Sequence, residues 1–309
     1  MAATDPTRPT AFAAAYAQAM ARWPIPVERR ELRSEFGTTR VHTCGLADGP
    51  PVVLLHGGGD TSAVWYALAP ALAGTHRVYA VDQMGTPGLS VPGDRPVRRP
   101  ADLMAWLDGV WDGLGLDSAT LLGHSYGGWV AATYAAHAPR RVGRLVLLDP
   151  TGCFAPYRPS YLARAVPLFV RPGERSTRRF LEWETGGAPP APELVRLKGV
   201  GAVAFRGAKV VTGRRPDLAG PAAAGLPALV VLAGRSRAHD LRRVAAGAAR
   251  ALPGARIETV AGAAHHSLPE NADGELARRV LSFLAAAPGA PATPPAAPPH
   301  PYGPPPHRP

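Results

Sequence analysis

The chain has 309 residues, a formal net charge of +11 and 36 prolines. This length is enough for one large domain with an insertion, and no apolar run is long enough to span a membrane. The positive charge comes almost entirely from arginines that are scattered along the chain, with no basic run of five or more and no interleaved aromatic residues. We therefore expect no nucleic-acid partner.

The two cysteines, Cys44 and Cys153, do not form a C-x-x-C pair, so neither a zinc site nor a redox motif is indicated. We interpret them as two buried thiols of a cytoplasmic enzyme, and we expect no metal and no cofactor. The apolar stretch at residues 11–20 contains polar residues and is interrupted by Arg22, which is typical of an amphipathic helix and not of a secretory signal.

In chain order, residues 1–24 are predicted to form an N-terminal arm with a short helix over 11–23. Two segments on either side of Gly37 predict an antiparallel hairpin, at residues 30–36 and 39–44. Short apolar runs that are typical of buried parallel strands then follow, at residues 52–55, 78–81, 119–122, 145–148, 228–232 and 257–260. Helical spacing lies between them, at residues 101–114, 126–137, 241–252 and 272–286. This alternation predicts an α/β fold with a mostly parallel, doubly wound sheet.

The alternation breaks once, over residues 151–226, which we interpret as a helical cap inserted into the core. Helices are predicted there, near residues 161–170, 177–183 and 193–211. The core is then assigned to residues 25–150 and 227–287. Residues 288–309 are dominated by proline and alanine, which predicts a disordered tail.

The strongest chemical signal is the pentapeptide G-H-S-Y-G at residues 123–127, directly after one predicted strand and directly before a predicted helix. This is the nucleophile elbow in its required strand-turn-helix context. The small residues Gly123 and Gly127 let the strand and the helix approach closely, and the tight turn raises the Ser125 hydroxyl above the sheet. The following helix N-terminus offers backbone N–H groups to an anion. We predict that Ser125 is a nucleophile.

A second glycine-rich turn, H-G-G-G at residues 56–59, follows the strand at residues 52–55, but no G-K-[ST] follows it, which disfavours a phosphate-binding loop. The H-G-G-G turn together with G-H-S-Y-G-G resembles the α/β-hydrolase superfamily, in particular carboxylesterase-like bacterial members with a helical cap. The resemblance covers roughly residues 25–287. It implies that the backbone N–H groups of Gly58 and Tyr126 form an oxyanion hole. We expect His56 to be structural and Asp60 to cap the next helix.

The resemblance also implies a catalytic histidine in a short loop after the last strand. His265 fits this place, about 140 residues after Ser125, and His266 is the alternative. The order of serine and histidine, each at the end of a strand, favours a catalytic role for His265.

The third member of the triad departs from the family pattern. The acid usually follows the strand at residues 228–232, where this chain has Arg237 instead. Asp149 is one substitute, because some family members carry their acid after the strand that it follows. Asp240 is the other, although an aspartate directly before a helix is commonly an N-cap. We favour Asp149 over Asp240. One of the two is expected to act as the acid, since without a carboxylate the imidazole would lose its tautomer control.

These residues predict a serine hydrolase that cleaves a carboxylic ester of a small, hydrophobic substrate through an acyl-enzyme intermediate. One alternative is a non-catalytic protein of the same fold that binds a small molecule. Others are an acyltransferase, a thioesterase or a cofactor-free haloperoxidase that uses the same triad. The expected partner is a small-molecule ester, and the sequence does not indicate an oligomeric state.

Overall fold

The computed structural model describes residues 10–206, 210–220, 225–270 and 274–286. Its nine strands are β1 Glu28–Ser34, β2 Gly37–Gly45, β3 Pro51–Leu55, β4 Arg77–Val81, β5 Val91–Pro92, β6 Ala119–His124, β7 Val142–Leu148, β8 Ala228–Ala233 and β9 Arg256–Val260. The helices are α1 Thr10–Met20, α2 Leu68–Ala73, α3 Pro100–Leu114, α4 Tyr126–His137, α5 Pro159–Val170, α6 Glu174–Thr185, α7 Pro192–Ala204, α8 Leu241–Ala251 and α9 Glu275–Ala285.

The strands form one mixed sheet in the order β1-β2-β4-β3-β6-β7-β8-β9, with β5 paired to β2. The pairs that involve β2 are antiparallel, and all other neighbours are parallel. The mostly parallel α/β sheet predicted from the sequence is therefore confirmed. The predicted hairpin is present, but its turn lies at residues 35–36, and Gly37 is the first residue of β2, paired with Ser34. Because β3, β6, β7, β8 and β9 run in one direction, their carboxyl ends meet at the same edge, where ligand sites of α/β sheets form.

The apolar runs of the sequence are explained by burial of both sheet faces. In β3, Val53 and Leu55 belong to one hydrophobic cluster, which also contains side chains of α3, α4 and α8. Val52 and Leu54 belong to the opposite cluster, with side chains of α1, α2 and α9. Both sides of each central strand thus lose contact with water, which stabilises the sheet by roughly 25 cal/mol per Å² of buried apolar surface.

Three helices, α5, α6 and α7, lie between β7 and β8. Prolines occupy the first position of α5 and α7, where a missing N–H costs no hydrogen bond. The predicted helix over residues 193–211 is wrong beyond Ala204. Val211 is not helical, and its carbonyl accepts a hydrogen bond from the Tyr126 hydroxyl at 2.8 Å.

The N-terminal helix packs against the rest of the protein. Phe12 contacts Phe205 with ring centroids 5.0 Å apart. The helix predicted over residues 11–23 is observed at Thr10–Met20. Within the described ranges, no helix is long and apolar enough to cross a membrane. The predicted tail at 288–309 lies outside the described residues.

Asp82, directly after β4, is a buried centre of hydrogen bonding. Its carboxylate accepts from the Ser62 N–H at 2.8 Å, the Ser62 hydroxyl at 2.7 Å, the Leu89 N–H at 2.6 Å and the Tyr16 hydroxyl at 2.8 Å. Its side chain is 0% exposed. One carboxylate thus joins α1, the segment after β3 and the loop after β4.

We expect Asp82→Ala to lower the free energy of unfolding by about 3–5 kcal/mol, because it leaves several buried donors without an acceptor. Equilibrium unfolding in urea measures this loss. Asp94→Ala, in an exposed loop, is the matched control and should change stability little. A loss below about 1 kcal/mol for Asp82→Ala would contradict the assignment.

Candidate active site

Ser125 occupies a strained turn between β6 and α4, with a φ of 53°. The glycines on either side are required by packing. A Cβ at Gly123 would lie 2.1 Å from the Gly127 carbonyl oxygen, and a Cβ at Gly127 would lie 2.2 Å from the Leu55 carbonyl oxygen. Any larger side chain at these two positions would force the strand and the helix apart. The glycines thus permit the tight turn that presents the serine hydroxyl at the carboxyl edge of the sheet.

The structure brings together three residues that are distant in sequence. The Nε2 atom of His265 lies 2.8 Å from the Ser125 hydroxyl oxygen, and its Nδ1 atom lies 2.6 Å from Oδ2 of Asp149. His265 follows β9 and Asp149 follows β7, so both stand at the same edge of the sheet as Ser125. With the hydrogen on Nδ1, the imidazole donates to Asp149 and can accept the serine proton at Nε2.

The electrostatics of this contact favour a charged Asp149 and a basic His265. Burial alone would raise the pKa of Asp149, but hydrogen bonds from His239 and His265 hold it well below its ordinary range. Burial alone would lower the pKa of His265, but its hydrogen bond to Asp149 and the charges of Asp149 and Glu184 raise it above the ordinary value, against the opposing charge of Lys198.

The alternative residues lie elsewhere. His266 has its Nε2 atom 3.2 Å from the Tyr161 hydroxyl and its Nδ1 atom 3.5 Å from the Lys198 ammonium. Asp240 caps α8 by accepting a hydrogen bond from the Arg243 N–H at 3.0 Å, and its side chain is 46% exposed. Neither side chain is hydrogen-bonded to Ser125 or His265 in the described parts of the chain.

The predicted oxyanion donors lie on adjacent backbone segments. Tyr126 is the first residue of α4, so its N–H has no partner within the helix. A Cβ at Gly58 would lie 3.7 Å from the Tyr126 Cβ, which shows how closely the two segments approach. His56 is fully buried, and its Nε2 atom accepts from the Gln83 N–H at 3.2 Å, as expected for a structural residue.

The expectation that Asp60 caps the next helix is wrong. Thr61 is the cap of the following 3₁₀ turn, and its side chain accepts from the Ala63 N–H at 3.2 Å. Asp60 instead accepts from the Lys198 ammonium on α7 at 2.8 Å, and both side chains are largely buried. The buried ammonium outweighs burial, so the pKa of Asp60 lies below its ordinary value.

Residues 52–279 match the sequence profile of the Alpha/beta hydrolase family, which is most of the chain. This chain belongs to the α/β-hydrolase family. The family assignment predicted from the sequence is confirmed, and so is its fold.

Bacterial carboxylesterases are among the similar proteins. Carboxylesterase YbfK of Bacillus subtilis is 34% identical over 195 residues, which cover 63% of this chain and 64% of that protein. The Bacillus subtilis protein named "Uncharacterized carboxylesterase nap" is 31% identical over 168 residues, or 54% of this chain and 55% of that protein. These alignments therefore span less than two thirds of either relative. The crystal structure of carboxylesterase CesB (YbfK) from Bacillus subtilis superimposes with a TM-score of 0.80 and 30% identity, covering 89% of this chain and 97% of that one.

Two further residues of this α/β-hydrolase hold the histidine loop. The Glu184 carboxylate, on α6, accepts the backbone N–H groups of His265 and His266, each at 3.1 Å, and Glu184 is 1% exposed. On the other side, Nε2 of His124 lies 2.9 Å from the His265 carbonyl oxygen. Burial lowers the pKa of His124 to about 3, so it is neutral and donates this hydrogen bond.

The roles of Glu184 and His239 were not predicted from the sequence. His239 Nε2 lies 2.9 Å from the second carboxylate oxygen of Asp149. For Glu184 a weak signal existed, because it shares the buried face of α6 with Thr177, Phe180 and Leu181, at spacings of three, four and seven residues. A carboxylate on an otherwise buried helix face requires partners, and these partners are the two amides of the histidine loop. For His239 we find no such signal.

We expect Glu184→Gln to lower the pKa of His265 and to destabilise the fold by about 1–3 kcal/mol. A glutamine removes the negative charge and offers one acceptor to two N–H groups. The proton between His265 and Asp149 should be visible at low field in proton NMR, and its titration reports the pKa. Glu174→Gln, exposed on the same helix, is the control; equal behaviour of the two variants would contradict a positioning role for Glu184.

Proposed function

We propose that this chain hydrolyses carboxylic esters, with Ser125 as the nucleophile, His265 as the base and Asp149 as the acid that orients it. The observation that carries the proposal is the continuous contact from the Ser125 hydroxyl through His265 to Asp149, at 2.8 and 2.6 Å. The similarity to bacterial carboxylesterases supports ester substrates over other acyl compounds.

The reaction follows from this contact. His265 Nε2 removes the Ser125 proton while the serine oxygen bonds to the ester carbonyl carbon, and the N–H groups of Gly58 and Tyr126 hold the resulting oxyanion. Loss of one such donor costs about 2.7–4 kcal/mol of transition-state stabilisation. The imidazolium then protonates the leaving alcohol, which leaves an acyl-serine. Water, deprotonated by His265, attacks the acyl-serine carbonyl carbon. The bond from this carbon to the serine oxygen then breaks, the His265 imidazolium returns its proton to that oxygen, and a carboxylic acid is released.

The inserted segment at residues 151–226 is proposed to be a cap over this site, on a core of residues 25–150 and 227–287. Three contacts support the proposal, one from each inserted helix. Tyr161 of α5 meets His266, Glu184 of α6 meets the histidine loop, and Lys198 of α7 meets Asp60 beside the oxyanion turn.

The alternative function is that of a non-catalytic protein of the same fold that binds a small molecule. The unusual position of the acid in the sequence is the only feature that favours it. The contact between Asp149 and His265 removes that support, since a carboxylate does face the imidazole. A small, hydrophobic ester substrate and a cytoplasmic location stay predictions from the sequence. For the location, the two free, buried thiols at Cys44 and Cys153 are consistent with a reducing compartment.

A fluorophosphonate probe tests the proposal directly. We expect the probe to label the wild-type protein on Ser125, to abolish hydrolysis of a short-chain p-nitrophenyl ester, and to leave Ser125→Ala unlabelled. Ser118→Ala is the matched control for the substitution. A folded wild-type protein that is neither labelled nor active on esters would reject ester hydrolysis in favour of the binding protein.

The choice of acid predicts unequal effects for two aspartates. Asp149→Asn should lower kcat by about 10⁴-fold, because the amide favours the wrong histidine tautomer. Asp240→Asn should leave kcat nearly unchanged. The opposite ranking of the two variants would identify Asp240 as the acid.

The proposed base must be neutral to accept a proton, so kcat/KM should rise with pH through the raised pKa of His265. In Asp149→Asn the residual activity should rise at a lower pH, since the carboxylate charge that raises the pKa of His265 is gone.

A further inference from the structure

The outer face of α5 exposes four large apolar side chains. Leu162, Val166, Phe169 and Val170 are 52%, 51%, 80% and 62% exposed. Their spacing of four, seven and eight residues places them on one side of the helix. They form a continuous stripe, which we call the α5 stripe. Contiguous exposed apolar surface of this kind marks an interaction site more often than scattered single residues do.

A different side of α5 packs against the rest of the protein. On that side, Tyr161 and Ala165 are buried against Phe180 and Leu181 of α6. The helix is therefore apolar on two sides, and folding covers only one of them. Packing within the chain explains the inner side and leaves the stripe unexplained.

The surroundings of the stripe are strongly basic. Between residues 158 and 181 the only acidic residue is Glu174. The exposed basic residues of this segment are Arg158, Arg164, Arg171, Arg175, Arg178 and Arg179. Three of them have partners in the chain, because Arg158 lies 3.8 Å from Asp240, Arg178 lies 2.9 Å from Glu174 and Arg164 lies over the Trp183 ring of α6. Within the described ranges no ion pair or ring contact involves Arg171, Arg175 or Arg179, which are the cations left to a partner. Apolar side chains next to a cluster of arginines are the composition of helices that lie in a membrane interface, where the stripe enters the acyl region and the cations meet anionic headgroups.

We propose that the α5 stripe and its flanking arginines dock on an anionic lipid surface. Charge complementarity selects this occupant over a second copy of the chain. A symmetric dimer through the same face would bring the arginine cluster of one subunit against that of the other. An anionic bilayer instead attracts each cation, with a gain of about five-fold in binding for each basic residue near the surface.

Sedimentation of the full-length protein with lipid vesicles tests this proposal. We expect binding to vesicles that contain phosphatidylglycerol to exceed binding to pure phosphatidylcholine by at least about ten-fold, and to weaken as salt rises. The double variant Leu162→Ser, Phe169→Ser should lose about ten-fold or more of the affinity. Arg171→Gln with Arg175→Gln should lose about 30-fold.

Matched controls distinguish an effect specific to the α5 stripe from the general effect of removing an exposed apolar or basic side chain. Leu46→Ser removes a leucine that is 51% exposed on the turn between β2 and β3. Arg29→Gln with Arg33→Gln removes two exposed arginines of β1. Neither control should change vesicle binding.

Three results would overturn the proposal: equal binding to both kinds of vesicle, no binding to either, or equal losses in the control variants. A wild-type dimer in sedimentation velocity that Leu162→Ser, Phe169→Ser dissociates would assign the stripe to self-association instead. Vesicle binding is measured without turnover, so its failure is distinct from a failure of ester hydrolysis.

Discussion

The buried carboxylate of Asp149 ties together the carboxyl ends of three neighbouring strands. From its place after β7, Oδ2 meets His265, which follows β9, and Oδ1 meets His239 and the Ala233 N–H at the end of β8. A fully buried charge is tolerated only where donors surround it. The loops that supply these donors therefore cannot move independently, and Asp149 fixes the ring of His265 whose backbone is held by Glu184 and His124.

The fold and the sharp turn at Ser125 could be predicted because their signals are local. An apolar run reports burial on both faces, and the elbow needs glycine at 123 and 127 because backbone oxygens lie within about 2 Å of any added Cβ. The choice between Asp149 and Asp240 could be ranked only by analogy. Asp240 satisfies a local rule as a helix cap, whereas the partner of Asp149 lies 116 residues away.

The contacts of the inserted helices could not be predicted for the same reason. Glu184 with the histidine loop and Lys198 with Asp60 depend on where α6 and α7 settle against the sheet. That placement is fixed by the sum of many apolar contacts and not by a motif. Asp60 is an example. Its position in the sequence predicts a helix cap, but a charge-assisted hydrogen bond from the buried Lys198 ammonium at 2.8 Å is stronger than one from a backbone N–H.

Arg237 contacts one of the inserted helices. It stands where the family usually carries the carboxylate, and its guanidinium lies 5.1 Å from the centre of the Trp183 ring on α6. Arg164 of α5 approaches the same ring at 5.5 Å. Such contacts contribute about 0.5–2 kcal/mol each. The loop after β8 thus helps to hold α6 in place.

Because α6 also carries Glu184, the position of this helix affects His265, the proposed base. The charge of Glu184 raises the pKa of His265, while the charge of Lys198 on α7 lowers it. A shift of α6 away from the core would remove an acceptor from the His265 N–H and a negative charge from beside the ring at once. A shift of α7 would act in the opposite direction. The pKa of His265, the proposed base, therefore depends on the inserted helices as well as on Asp149, and it is highest when α6 is in place.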